Sequence, residues 1–189
     1  MDKLSAYSGE PITELDFNDF SYDTLVELLK LYSRLYLAID GFWYLTIKKR
    51  VSNEEALACD IAVWEKMTKY ELARITKLLN IQGNDMAALV KGMQLSPFFQ
   101  VIENKFELRD KHNAILTVTN CPTLNALEKE GEGREDEICN IVEPKIFKAY
   151  ASFFNSNIKV ISLQTPPRKN KDGICCQWQF TLRQFQPAK

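Results

Sequence analysis

An α+β fold is predicted by two features of this 189-residue sequence. The first half repeats apolar residues at helical spacing over two long stretches, while the second half alternates apolar with polar residues in four short stretches that frame further helical ones. Together these give an N-terminal antiparallel helical hairpin packed with a ββααββ antiparallel-sheet module, its helices covering one face of the sheet. No linker, repeat or low-complexity tract interrupts the chain. Residues 1–189 therefore read as a single domain, helical over about 20–103 and sheet-containing over about 104–186.

The first helix spans Tyr22 to about Arg50, with Leu25, Leu28, Leu29, Tyr32, Leu35, Tyr36, Ile39 and Trp43 as its expected inner face. Ser21 suits its N-cap, and Lys48, Lys49 and Arg50 complement the negative end of its dipole. Gly41 weakens its interior, which a close helix contact, a kink or a nearby ligand would explain. The second helix starts at Ser52, whose spacing to Glu55 fits a capping box, and runs to about Leu79. A short link between the two favours an antiparallel hairpin. Asn84 to Met93 gives a third helix, and Ser96-Pro97 starts another.

Phe106 and Leu108, then Ile115 to Thr119, predict two strands joined by a turn at Lys111-His112-Asn113. Cys121-Pro122 opens a helix that stops at Gly131, and the charged run Glu130 to Glu137 reads as an exposed loop. Pro144 to Phe154 is helical. The chain closes with a hairpin of Ile158–Leu163 and Ile174–Phe185, in which Cys176, Trp178, Phe180 and Leu182 share one face.

Composition narrows the function. Twenty-four basic against 25 acidic residues leave a net charge of -1, which offers no global attraction to nucleic acid. No apolar run approaches the roughly 20 residues of a membrane span. The polar N-terminus lacks the pattern of a signal peptide, so the expected location is cytoplasmic. Five cysteines without a CxxC pair read as reduced thiols. One histidine, His112, excludes a multi-histidine zinc site within one subunit and reads as an exposed turn residue. Arg168, Lys169 and Lys171 read as a solvated loop. Phosphate-loop, dinucleotide, nucleophile-elbow and zincin motifs are absent from the sequence.

Two constellations remain. Cys121, Cys139 and Cys176 could converge as buried structural thiols, as ligands that with Glu143 would satisfy tetrahedral zinc, or around a reactive Cys121 at a helix N-terminus. Cys59 and Cys175 are less well placed to join them. The second constellation sets Asp40 and Trp43 of the first helix beside Asp60, Trp64 and Glu71 of the second, with Tyr32, Tyr36 and Tyr70 extending the aromatic lining. It reads either as an aromatic core with solvent-facing acids or as a pocket whose acids orient a polar or cationic group between rings.

The succession Leu35 to Trp43, Glu55-Ala56 with Asp60 and Trp64, Cys121-Pro122-Thr123 with Leu127-Glu128, and Cys176 to Phe180 resembles a family of uncharacterised prokaryotic cytosolic proteins. The C-terminal half is similar to the L-2-amino-thiazoline-4-carboxylic acid hydrolase-like family and, more distantly, to 4-vinyl reductase domains. The resemblance implies an α+β module holding a hydrocarbon-like or aromatic ligand, with zinc bound largely by cysteine in some members. It departs at the adjacent pair Cys175-Cys176.

The expectation is a small-molecule-binding protein with an apolar pocket between hairpin and sheet. Trp43, Trp64 and Trp178 would wall it, and Asp40, Asp60 and Glu71 would orient ligand atoms. The competing expectation is a hydrolase of a small cyclic or amide C–N bond, using Cys121 or a cysteine-bound metal. A third is an interaction scaffold with an exposed apolar face on the first helix. The same long helix and the free sheet edges make a homodimer compatible with either pocket reading.

Overall fold

Ser21 accepts the Thr24 amide and Ser52 accepts the Glu55 amide, and from these caps rise the two long helices α1 (Tyr22–Arg50) and α2 (Asn53–Leu78) of the hairpin. The computed structural model describes residues 3–182, so the end of the expected last strand, beyond 182, lies outside the described residues. Next come α3 (Met86–Leu95), capped by Asp85, and a short 3₁₀ turn at Phe98–Gln100 where Ser96-Pro97 predicted a helix. The remainder is β1 (Glu103–Asp110), β2 (Asn113–Asn120), α4 (Pro122–Glu130), α5 (Arg134–Glu137), α6 (Glu143–Phe154), β3 (Ile158–Gln164) and β4 (Cys176–Leu182). The four strands form one antiparallel sheet in the order β1-β2-β4-β3. The α+β class and the hairpin are as the sequence predicts, and the short α5 is added between the two helices expected between the strand pairs.

Pairing sets Leu116 opposite Trp178, and Ala114 and Val160 opposite Phe180, so one face of the sheet is apolar. Phe147 of α6 seals that face, its ring 4.8 Å from Trp178 and 6.1 Å from Phe180. From there, edge-to-face and tilted rings continue through Phe99 and Phe98 to Trp64 and Tyr36, joining the sheet to the hairpin in one aromatic file. Such contacts add to the stabilisation from area burial.

Two expectations are corrected. Glu130 to Glu137 is not an exposed loop: after Gly131, left-handed at φ 74°, the chain re-enters the fold as α5 and a π-helical turn, Ile138–Val142. Arg134 supplies the reason, being 8% exposed, paired with Glu130 at 2.5 Å and stacked over the Tyr44 ring at 4.5 Å. Likewise Arg168 is not a solvated loop residue. Its guanidinium forks onto Glu128 (Nε to Oε1 2.8 Å, Nη2 to Oε2 2.5 Å) and also donates to the Lys171 carbonyl, pinning the β3–β4 connection to α4.

The inner face of α1 also differs from its expected one. Ser33 and Tyr44 are its fully buried residues, while Leu29, Tyr32, Leu35, Ile39 and Trp43 are exposed. The helix is apolar on two sides, and periodicity centred the prediction between them. The side carrying Tyr36, Leu37, Tyr44 and Ile47 packs inward.

Candidate functional site

A cavity of about 620 Å³ lies among the helices, bounded by α1 and α2 on one side and by α4, α5 and the start of α6 on the other. Its walls are mainly apolar, with Leu37, Tyr44, Trp64, Phe98, Ile138 and Ile146 among them. Gly41 also lines it, and a Cβ there would meet nothing within 4 Å. Close packing within the chain therefore does not explain this glycine. It leaves cavity space free.

Three carboxyl groups break the apolar surface: Asp40, Asp60 and Glu143. One turn of α1 and the third turn of α2 bring the aspartates together, with the Trp64 indole beside both. Burial pushes the Asp60 carboxyl up, and the facing Asp40 pushes it further. Asp40 is itself raised by burial and eased by hydrogen bonds from Trp64 and Asp60. Like charges this close favour a shared proton over two anions. Glu143 enters where the π-helical turn delivers the chain into α6, a type of distortion found often at functional sites. Burial, then the charges of Asp60 and Asp40, push its pKa to about 8. Its Oε2 is buried without a hydrogen-bond partner.

Two arginines accompany the acids, and the Arg134 charge eases Asp60. Arg34 and Arg134 line the cavity, and Arg134 is held by Glu130 and by the Tyr44 ring. Tyr44 donates to Asn53 Oδ1 at 2.8 Å, and Asn53 donates to Glu137 Oε2 at 2.7 Å, so α1, α2 and α5 fix one another at this end. Thus the cavity joins apolar walls to three carboxyl groups with raised pKa values and two arginines.

Of the residues expected at the site, Asp40, Asp60 and Trp64 line the cavity; Glu71, Trp43 and Trp178 do not. Glu71 is a core carboxyl satisfied by Tyr150 at 2.5 Å and Tyr36 at 3.4 Å. Trp43 is 60% exposed on the outer face of α1. Trp178 is filled over by Phe147, so the sheet contributes no wall and the cavity lies between helices. Tyr32 and Tyr70 are exposed as well. Sequence reading missed Arg134, Tyr44 and Phe98 and took Glu143 only as a ligand to metal. The Glu130–Arg134 pair spans the turn at Gly131 and Gly133 between two helices, so no helical spacing in the sequence announced it.

The thiols gather near Glu143, whose charge raises all three of Cys121, Cys139 and Cys176 after burial has done most of the work. Cys121 also caps α4, receiving the Leu124 amide at 3.5 Å, and burial pushes it to about 11. Among the described residues, no group of three or more His, Cys, Asp or Glu is placed to hold a metal ion. Cys121, Cys139 and Cys176, the expected zinc set, do not make such a group. No helix of the described residues is long and apolar enough to cross a membrane.

The fold and cavity define an α+β protein with an interhelical pocket, apolar in its walls and carrying three carboxyl groups. The chain belongs to the Family of unknown function (DUF6125), which matches residues 18–182. Comparison with curated proteins and with solved structures gives no match.

Proposed function

We propose that this protein binds a small apolar or aromatic molecule bearing a protonated nitrogen, with the ring or chain in the cavity and the nitrogen at Asp40, Asp60 and Glu143. One observation carries the reading: a buried, unpartnered carboxyl oxygen of Glu143 lies beside the Asp40–Asp60 pair in a cavity of about 620 Å³, a volume ordinary for small-molecule sites. Three enclosed acids are costly as anions, and an ammonium or amidinium group removes that cost while the apolar walls take the rest of the molecule. The resemblance to ligand-holding 4-vinyl reductase domains supports the same reading. The hydrolase reading, to which the thiazoline-hydrolase likeness points, asks for an activated Cys121, and burial moves that thiol the other way.

The test is calorimetric titration with phenethylamine, phenethyl alcohol and phenylacetate, alongside native mass spectrometry of the protein as purified. Binding of the amine over both analogues, lost in Asp60→Asn and Glu143→Gln, is the expected result. Equal binding of all three, or amine binding untouched by both variants, overturns the carboxyl groups as the recognition element. Cys121→Ser is expected to bind like the parent chain.

A further inference from the structure

We infer that a second copy of this chain docks on the outer face of α1, antiparallel, and that the two α1 helices form the core of a homodimer. The inference goes beyond the ligand reading and does not depend on it. Leu28, Tyr32, Leu35, Ile39, Phe42 and Thr46 follow one another at steps of four, three, four, three and four, the spacing of a coiled-coil seam. The seam lies apart from the side carrying Tyr36, Tyr44 and Ile47, which packs inward. Leu35 is 54%, Ile39 68% and Phe42 70% exposed, with Leu31, Trp43 and Leu45 exposed beside them.

Area and charge select the occupant. These side chains expose on the order of 1,000 Å² in all, and a stable pair of proteins buries about 800 Å² on each partner. The seam is centred between Leu35 and Ile39, so an antiparallel copy sets Leu35 of each chain against Ile39 of the other. Glu27 and Lys49 lie near opposite ends of the helix and on the same flank of the seam. In the antiparallel arrangement Glu27 of one copy, which also pairs with its own Lys30, comes near Lys49 of the other twice over, by symmetry, while a parallel arrangement carries the two to opposite sides of the seam and loses both contacts. Phe42 and Leu45 belong both to this face and to the cavity lining, so the second copy also borders the mouth of the ligand cavity.

Sedimentation equilibrium of the full chain tests this. The expected species has twice the 21.8 kDa chain mass at micromolar concentration. The double variant Leu35→Glu/Ile39→Glu is expected to sediment as a monomer with unchanged far-UV circular dichroism, since both side chains are exposed. Glu27→Lys alone should weaken dimerisation by roughly threefold to tenfold, and adding Lys49→Glu in the same chain should restore it. A parent chain that stays monomeric at 100 µM, as a free species or bound to anionic phosphatidylglycerol vesicles, overturns the proposal. So does a dimer indifferent to the double variant, or a charge swap that fails to restore. If the double variant does not fold, Leu35→Cys with Ile39→Cys decides: oxidation of the antiparallel dimer yields chain-to-chain disulfides, and their absence overturns it.

Discussion

The Tyr150 hydroxyl of α6 donates to Glu71 Oε1 of α2 at 2.5 Å, in the middle of an otherwise apolar core. Tyr36 donates to the other oxygen of the same carboxyl at 3.4 Å, and Ser96 lies 2.8 Å from the Tyr150 oxygen. The network ties α1, α2 and α6 to the residue that opens the 3₁₀ turn. Burial pushes Glu71 up, and the hydrogen bonds from Tyr150, Ser96 and Tyr36 pull it back. A satisfied network of this kind fixes one packing of the helices, and a half-satisfied one is costly.

Tyr150→Phe removes the shortest of these bonds and leaves Glu71 under-satisfied in the core. The expected loss is roughly 1–3 kcal/mol of unfolding free energy, read from urea denaturation. Removing the acceptor's charge as well, in Glu71→Gln/Tyr150→Phe, should recover part of the loss, because no buried carboxyl is then left short of donors.

Glu143 gives the stability a pH dependence of defined sign. Its pKa is raised from 4.5 to about 8, so between those values the folded state binds more protons than the unfolded state. The contribution of this group is full below pH 4.5 and is lost as pH rises through about 8. Asp40 and Asp60, raised by burial, act in the same direction. Melting temperature should therefore fall between pH 5 and pH 9, and Glu143→Gln should flatten that fall while changing little at pH 5. A steeper fall in the variant would refute the assignment.

Arg168 anchors the β3–β4 connection through its fork onto Glu128, with both side chains largely buried. Arg168→Ala should cost roughly 1.5–3 kcal/mol, measured by chemical denaturation at pH 7. Lys169→Ala, in the same loop, should shift stability by no more than about 0.5 kcal/mol. The Arg168 guanidinium holds Glu128 below its ordinary value. That part of the stability is present above pH 4.5 and is lost as acid protonates Glu128, opposite in sign to Glu143.

Much of the fold is local in origin, and local signals are what a sequence displays. Ser21 and Ser52 cap the hairpin helices, Cys121-Pro122 starts α4 and Gly131 ends it, and the alternation of Trp178 with Phe180 sets the inward face of β4. Each needs only neighbours a few residues away. The same locality brought Asp40, Asp60 and Trp64 together, since an antiparallel hairpin with a short link fixes which residues share a height.

The tertiary structure decided the rest. Whether α1 turns its Tyr36–Tyr44 side or its Leu35–Phe42 side inward depends on what α2 and the aromatic file present to it, and both sides are apolar enough for either. Glu71 became a core residue because Tyr150, 79 positions away, arrives with a hydroxyl. Arg134 and Glu143 joined the cavity because α5 and the π-helical turn fold back against the hairpin. Class, hairpin and one side of the cavity follow from sequence spacing; the cavity's far wall, its unpartnered carboxyl and the outer face of α1 follow from packing between segments that no short-range pattern connects.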